Sequence, residues 1–380
     1  MHPFALPSSL SSAELEAVLA PFERAHGLPA AAYHDRAVFD RERALIFDRA
    51  WLCVGRESDV THPGEWLRAA VLGEGIVVVR GADLVLRAFY NVCRHRGLPL
   101  LDGPCGRQQE LQCPYHGWTY ELTGALRSAP NAHASFDHSA HGLAPVRVEV
   151  WQGFVFVTEG RDVPALAEFL GDVPPWLTRA PLAHAERVHS SEYEVAANWK
   201  LLVENFQESD HFTRIHPALE RLTPNGAARS RLSRGPWLGG TMTFADGVET
   251  VSKSGKRSGR PFLASPEYRR QVSDAMMFPT LLTSLQPDYF LTYRLTPLAA
   301  ERTHVIADTF MHASVVGRSI DAEAVADVVS FWEVVNAKDR AICERQQTGV
   351  RSRGYSPTMY SAVEDGVHAF DCRVAEAYLS

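Results

Sequence analysis

Cys93-Arg94-His95 and Cys113-Pro114-Tyr115-His116 each supply one thiolate and one imidazole, with seventeen residues between the two segments. No other feature constrains the chain as tightly. Six cysteines (Cys53, Cys93, Cys105, Cys113, Cys343, Cys372) in 380 residues are too sparse for a disulfide scaffold, and in a reducing compartment close Cys and His pairs read as metal ligands rather than bridges. A two-iron cluster with unequal irons, one held by two cysteines and the other by two histidines, needs this mixed pairing on adjacent loops. Exchanging two thiolates for neutral imidazoles raises its potential. The alternative is a tetrahedral Cys2His2 zinc, although zinc fingers usually pair cysteine with cysteine and histidine with histidine on a helix. Gly97, Gly103, Gly106 and Gly117 let backbone approach a cluster and direct amides toward its sulfurs.

The surroundings read as strands and turns. Residues 75–80, 84–91, 110–113, 118–122 and 151–158 are β-rich runs, with turns at 81–83 and 123–124, which predicts a compact antiparallel β domain over 46–160. A helical segment, 1–45, precedes it. There Ser11 and Glu14 form a capping box, and a second helix is expected over 35–51. A Pro- and Leu-rich connector at 163–183 opens the remainder, 161–380. Strands at 189–196, 239–244, 280–285, 289–295 and 303–312 predict one larger antiparallel sheet, and 321–347 predicts a long helix. The polar stretches 223–236 and 246–266 read as loops or a lid, the second carrying Lys253, Lys256, Arg257 and Arg260.

A net charge of −7, with 46% hydrophobic and 22% charged residues, argues against a nucleic-acid binder and fits a soluble enzyme. A local basic patch for an acidic electron-transfer partner is compatible with that charge. The N-terminus shows no secretory pattern and no apolar run is long enough for a membrane span. The expected compartment is the cytoplasm.

A second constellation lies in 198–217, where Glu208, His211 and His216 stand three and five apart. If 199–212 is helical, Glu208 and His211 share a face one turn apart. Pro217 disfavours helix at His216, which puts that imidazole where the helix ends. Two histidines plus one carboxylate from elsewhere make the facial set of non-haem ferrous oxygenases, with positions left open for oxygen and substrate. A solvated or hydrogen-bonded histidine pair is the plainer alternative.

Taken together, Cys-Arg-His-Arg-Gly at 93–97, Cys-Pro-Tyr-His-Gly-Trp-Thr-Tyr at 113–120, Asn-Trp-Lys at 198–200, Glu-Asn-Phe at 204–206 and the Glu-x2-His-x4-His-Pro run resemble the catalytic α subunits of Rieske non-haem iron oxygenases. The resemblance covers nearly the whole chain. It implies an α+β fold, with an N-terminal antiparallel β Rieske domain at 46–160 and a catalytic domain at 161–380 whose antiparallel sheet is flanked by helices, of helix-grip type. It implies a Rieske 2Fe-2S cluster with Cys93 and Cys113 on one iron and His95 and His116 on the other. It also implies a mononuclear Fe(II) on His211, His216 and a late-helix acid, for which Asp339 is preferred to Asp327 and Asp321. Glu208, with Asp210 as the rival acid, then bridges His116 of one subunit to His211 of the next, which implies a homotrimer. It further implies that electrons arrive singly from NADH or NADPH through a separate flavin/iron-sulfur reductase, and that O2 reacts once substrate has opened a coordination position.

Most ring-hydroxylating members carry Asp where this chain has Glu208, as in the branch that resembles choline, carnitine, glycine betaine and proline betaine oxygenases. That branch hydroxylates an N-methyl or adjacent carbon. The chain departs from it at Ser209-Asp210-His211-Phe212, where Cys-Tyr-His-Cys is common. Phe212, Trp237, Phe244, Phe278 and Tyr289 are the aromatic candidates for holding a quaternary ammonium cation. The alternative activity is hydroxylation of an aromatic ring or O-demethylation of an aromatic substrate. The non-enzymatic readings are a Rieske electron carrier, which leaves 161–380 without a purpose, and a zinc-binding module.

Overall fold

The computed structural model describes residues 6–233, 235–257, 262–263, 265–312 and 322–380. Asp321 and Arg260 lie outside the described residues. The chain forms two compact units, one comprising 48–167 and the other 1–47 together with 168–380.

The first unit is antiparallel β throughout. Its larger sheet joins β1 (Leu52–Arg56), β2 (Glu65–Val71), β3 (Glu74–Arg80), β4 (Leu86–Tyr90), β5 (Cys105–Arg107), β9 (Pro145–Trp151) and β10 (Phe154–Thr158) in the order β1-β10-β9-β4-β3-β2-β5. A small sheet of β6 (Leu111–Gln112), β7 (Thr119–Tyr120) and β8 (Leu126–Ser128) holds the second Cys/His segment. Two-residue turns set the register of both long hairpins: Leu72-Gly73 and Gln152-Gly153 have φ of 46°, 89°, 50° and 74°. Paired positive φ values match the right-handed twist of the flanking strands, and glycine takes the second position without strain. The run expected as one strand at 151–158 is therefore the second half of a hairpin. Its partner begins at Pro145, tolerated because the first residue of a strand need not donate.

The second unit is built on a seven-stranded antiparallel sheet ordered β11-β17-β16-β15-β14-β13-β12. Its strands are β11 (Ala185–Val195), β12 (Ala228–Leu232), β13 (Trp237–Thr243), β14 (Gln271–Met277), β15 (Leu281–Leu285), β16 (Tyr289–Ala299) and β17 (Arg302–His312). β12 lies in the stretch expected to be loop, and it pairs along its whole length with β13. The helix expected over 35–51 runs from Arg36 to Leu45, capped by Asp35, whose carboxylate accepts the Ala37 N–H at 2.6 Å. The helix expected over 199–212 stops at Gln207. The long helix is Ala322–Val350, and a further helix, Asp365–Leu379, has no counterpart in the sequence reading. Among the described residues no helix is long and apolar enough to cross a membrane.

The Asn-Trp-Lys motif anchors the Trp199–Gln207 helix. Asn198 caps it by accepting the Lys200 N–H at 3.0 Å, and its own amide donates to the Ala300 carbonyl at 2.6 Å. The Trp199 indole donates to Glu42 Oε2 at 2.7 Å, and Lys200 is paired with Glu42 Oε1; neither partner of that ion pair is exposed. One turn on, Glu204 accepts the Tyr33 hydroxyl at 2.9 Å and shares a hydrogen bond with Asp371 of the last helix, which accepts the Tyr360 hydroxyl at 2.6 Å. Burial is the main cause that pushes both carboxyls up, Asp371 to about 7. A carboxyl whose folded pKa exceeds its unfolded value contributes stability below the unfolded pKa, and that contribution is lost as pH rises through the folded one. Thermal unfolding followed by circular dichroism is thus expected to show Tm falling from pH 5 to pH 8 and a flatter profile in Asp371→Asn. An unchanged slope in the variant would exclude this pair as the cause.

Candidate metal centres

The two Cys/His segments fold into the same loop twice. In the first, Cys93 N–H donates to the Leu98 carbonyl at 2.8 Å and Gly97 N–H to the Cys93 carbonyl at 2.9 Å; in the second, Cys113 and Gly117 repeat this with the Trp118 and Cys113 carbonyls at 2.8 and 3.0 Å. Gly97 and Gly117, at φ of 74° and 71°, let each loop turn back on itself. Gly106 serves a different purpose from the one expected. It lies on β5, where an added Cβ would come within 2.7 Å of the Trp66 ring.

These loops sort the four side chains by chemistry. Cys93 and Cys113 are each 3% exposed and their sulfurs are neighbours, whereas His95 and His116 are exposed, with ring centroids 4.6 Å apart. Burial pushes the Cys113 thiol up, opposed by the backbone amides of Tyr115 and His116, which point at its sulfur. Tyr120 Oη lies 3.4 Å from Cys93 Sγ and accepts the Arg94 N–H at 3.0 Å. His95 stacks on Trp118 at 4.8 Å, and Asn91 pins the following segment through Leu100 and Leu101. A single tetrahedral ion needs all its donors around one point. Among the described residues, the only grouping of three or more His, Cys or acidic side chains whose donors all lie within 4.8 Å of one another is elsewhere. A buried sulfur pair beside an exposed imidazole pair instead fits two unequal irons.

That other grouping is His211, His216 and Asp339. Glu208 ends the helix in extended conformation (φ −130°, ψ 157°), and the chain then turns before the short helix Phe212–Ile215. The contact expected from helical phase is therefore made by a turn. Glu208 Oε2 accepts the Asp210 and His211 N–H groups, while Oε1 takes His211 Nδ1. His216, 2% exposed, stands between the end of that short helix and the one Pro217 begins. His216 Nε2 is 2.6 Å and His211 Nε2 3.7 Å from Asp339 Oδ1. Neighbouring ligands about 2.1 Å from one ion stand about 3 Å apart at right angles, so this donor set fits one metal with open positions. Burial opposes the charged form of His211, but the Glu208 hydrogen bond and the nearby Asp339 carboxylate raise its pKa overall. Asp210 is exposed and meets Glu208 only through its backbone. Asp327 is engaged elsewhere, accepting the Ser254 hydroxyl at 2.6 Å and so tying down the 252–256 loop.

A cavity of about 170 Å³ reaches the donor set, between one face of the sheet and the Ala322–Val350 helix. From that helix come Trp332, Val335, Asn336, Asp339 and Cys343, the three-and-four spacing of a single helical face. Of the aromatic candidates only Phe212 lines it. Trp237 is spent on the Leu170 carbonyl at 2.8 Å, Phe278 packs on Trp199 and Phe370, Phe244 sits in an adjoining apolar cluster, and Tyr289 bonds Val251. The rings that do face the cavity, besides Phe212, are Phe206, Tyr293, Trp332 and Tyr193. Strand alternation from Tyr293 and helical spacing from Asp339 were the signals that would have found two of them. Val251 also lines the space and is fully buried, so this part of the expected lid is packed wall.

Residues 182–380 match the model for the ring hydroxylating alpha subunit (catalytic domain), and 50–151 match the Rieske [2Fe-2S] domain. The glycine betaine monooxygenase oxygenase subunit of Chromohalobacter salexigens is 30% identical over 374 residues, covering 88% of this chain and 82% of that one. The carnitine monooxygenase oxygenase subunit of Escherichia coli K12 is 36% identical over 203 residues, 51% of this chain and 53% of that one. A solved quaternary ammonium Rieske monooxygenase, described for carnitine oxidation and inter-subunit electron transfer, superposes with a TM-score of 0.83 at 26% identity, covering 98% of this chain and all of the other.

Proposed function

Because this chain belongs to the family of ring-hydroxylating α subunits with a Rieske [2Fe-2S] domain, we propose that it hydroxylates an N-methyl group, or the adjacent carbon, of a betaine-like quaternary ammonium compound. The protein is an oxidoreductase, a Rieske non-haem iron oxygenase, and its cofactors are the 2Fe-2S cluster and non-haem iron. When bound, these supply single-electron delivery and oxygen activation. Cys93, His95, Cys113 and His116 hold the cluster in this reading, and His211, His216 and Asp339 hold the mononuclear iron.

The observation that carries the substrate class is the cavity beside the histidines, whose wall includes the rings of Phe206, Tyr293 and Trp332. Aromatic faces attract a quaternary cation without needing hydrogen bonds, which such a cation cannot donate. The relatives named for glycine betaine and carnitine support the same class. Two side chains hold the rings in place: Tyr293 donates to Asn336 Oδ1 at 2.9 Å, and the Trp332 indole donates to the Tyr289 hydroxyl at 2.7 Å. Glu208 engages Nδ1 of His211 and leaves Nε2 for the metal, fixing tautomer and ring orientation together. Lys338 donates to the Ile215 carbonyl at 2.8 Å and so ties the Asp339 helix to the segment bearing His216.

The same reading makes the working form a homotrimer served by a separate NAD(P)H-dependent reductase, with His116 of one subunit facing Glu208 of the next. The test is oxygen uptake and aldehyde release by the purified protein with a reductase, across glycine betaine, carnitine, proline betaine and simple aromatic compounds. Formaldehyde, or the aldehyde from the adjacent carbon, is expected in step with oxygen uptake from a quaternary ammonium substrate. Product from the aromatic compounds alone would overturn the substrate class in favour of ring hydroxylation or O-demethylation.

A further inference from the structure

On the sheet side of the cavity, facing the long helix, stands a carboxylate that the metal chemistry leaves unused. Asp274 is in the middle of β14, opposite Gly240 of β13 and Ser284 of β15, and all three line the cavity. Gly240 contributes no side chain, so that flank of Asp274 is left clear. Among the described residues Asp274 Oδ1 is buried without a hydrogen-bond partner, and no cation is paired with it. Leaving a buried carboxylate oxygen without a partner is costly. Here burial pushes its pKa up to about 7, against the opposing hydrogen bond from Ser284. Such a group persists at neutral pH either as a neutral acid or as half of a pair completed by something entering the cavity.

We propose that Asp274 is a specificity-determining residue, the counter-ion for the positive charge of the substrate, acting with the Phe206, Tyr293 and Trp332 rings to select a cation over a neutral molecule of the same shape. This rests on the quaternary ammonium reading above and adds a named charge partner to it. The arrangement is suited to a trimethylammonium group. Bulky and without a donor, such a group cannot satisfy Asp274 by a hydrogen bond, so the attraction is Coulombic and is strengthened by the lowered dielectric around a carboxylate oxygen held out of water.

The test compares glycine betaine with 3,3-dimethylbutyrate, its carbon isostere lacking the positive charge, binding to the wild-type holoenzyme and to Asp274→Asn. Calorimetry gives Kd, the visible spectrum of the cluster reports folding, and kcat and KM for betaine are measured separately. Wild type is expected to prefer betaine by about 30-fold or more, the scale on which one member of a desolvated charge pair matters. Asp274→Asn is expected to lose most of that preference through KM, with binding of the isostere and kcat changed by less than about 3-fold. Retention of the wild-type preference by Asp274→Asn would overturn the role of Asp274 and leave the substrate class standing. A wild-type protein that binds both molecules equally, or neither, would overturn both.

Discussion

Asp339→Ala is expected to abolish turnover, by more than about 100-fold, the loss that removing even an outer partner of a metal ligand can reach, while the visible absorption of the cluster stays as in wild type. The expectation follows from where the donors lie. Asp339 Oδ1 is the atom that both His211 Nε2 and His216 Nε2 face, at 3.7 and 2.6 Å, so its removal opens a facial set of three to an incomplete pair. His211→Ala and His216→Ala should behave alike, because a facial triad has no spare protein ligand. Iron analysis is the direct measurement: each variant should retain the two irons of the cluster and lose the third. Full activity in any of the three, or disappearance of the cluster absorption together with activity, would sink the assignment.

The Cys/His pairs and the His211/His216 pair stood out in sequence because they fall at short, local spacings that survive without knowledge of the fold; Asp339, 123 residues from His216, was reached only through the resemblance to the family. The wall of the cavity was not legible, since it is assembled from seven strands and four helices spread along the sequence. Asp274 illustrates the difficulty: a lone acid in Gln271–Met277, a largely buried strand whose mixed composition gave no alternation to detect. Other omissions had a visible signal. Val367, Phe370, Val374 and Tyr378 are buried at helical spacing in Asp365–Leu379, and the alternating Val146, Val148 and Val150 of β9 mark a strand. The contact between Glu208 and His211 was anticipated through the wrong geometry. A separation of three residues brings side chains together in a turn as well as in a helix, so the pairing survived when the helix stopped at Gln207.

That turn frames the second large effect. Glu208 fixes His211 with one oxygen and accepts two backbone N–H groups with the other; a carboxylate has about four lone-pair positions, leaving room for an imidazole from another subunit. If His116 of a neighbouring subunit takes that position, Glu208→Gln should keep all three irons and the cluster spectrum yet lower the rate of electron delivery to the mononuclear site by about 100-fold, read as slow reoxidation of the reduced cluster in the presence of substrate and oxygen. Mixing distinguishes transfer between subunits from transfer within one. Neither Cys113→Ala, which lacks a cluster ligand, nor His211→Ala, which lacks an iron ligand, should turn over alone, but trimers reassembled from both contain intact clusters beside intact iron sites on adjacent chains. Activity regained on mixing is the expected result, and it should vanish when the Cys113→Ala partner also carries Glu208→Gln, because that is the subunit whose iron would receive the electron. Mixed trimers of proven composition that stay inactive would place the transfer within a single chain and remove the reason for a ring.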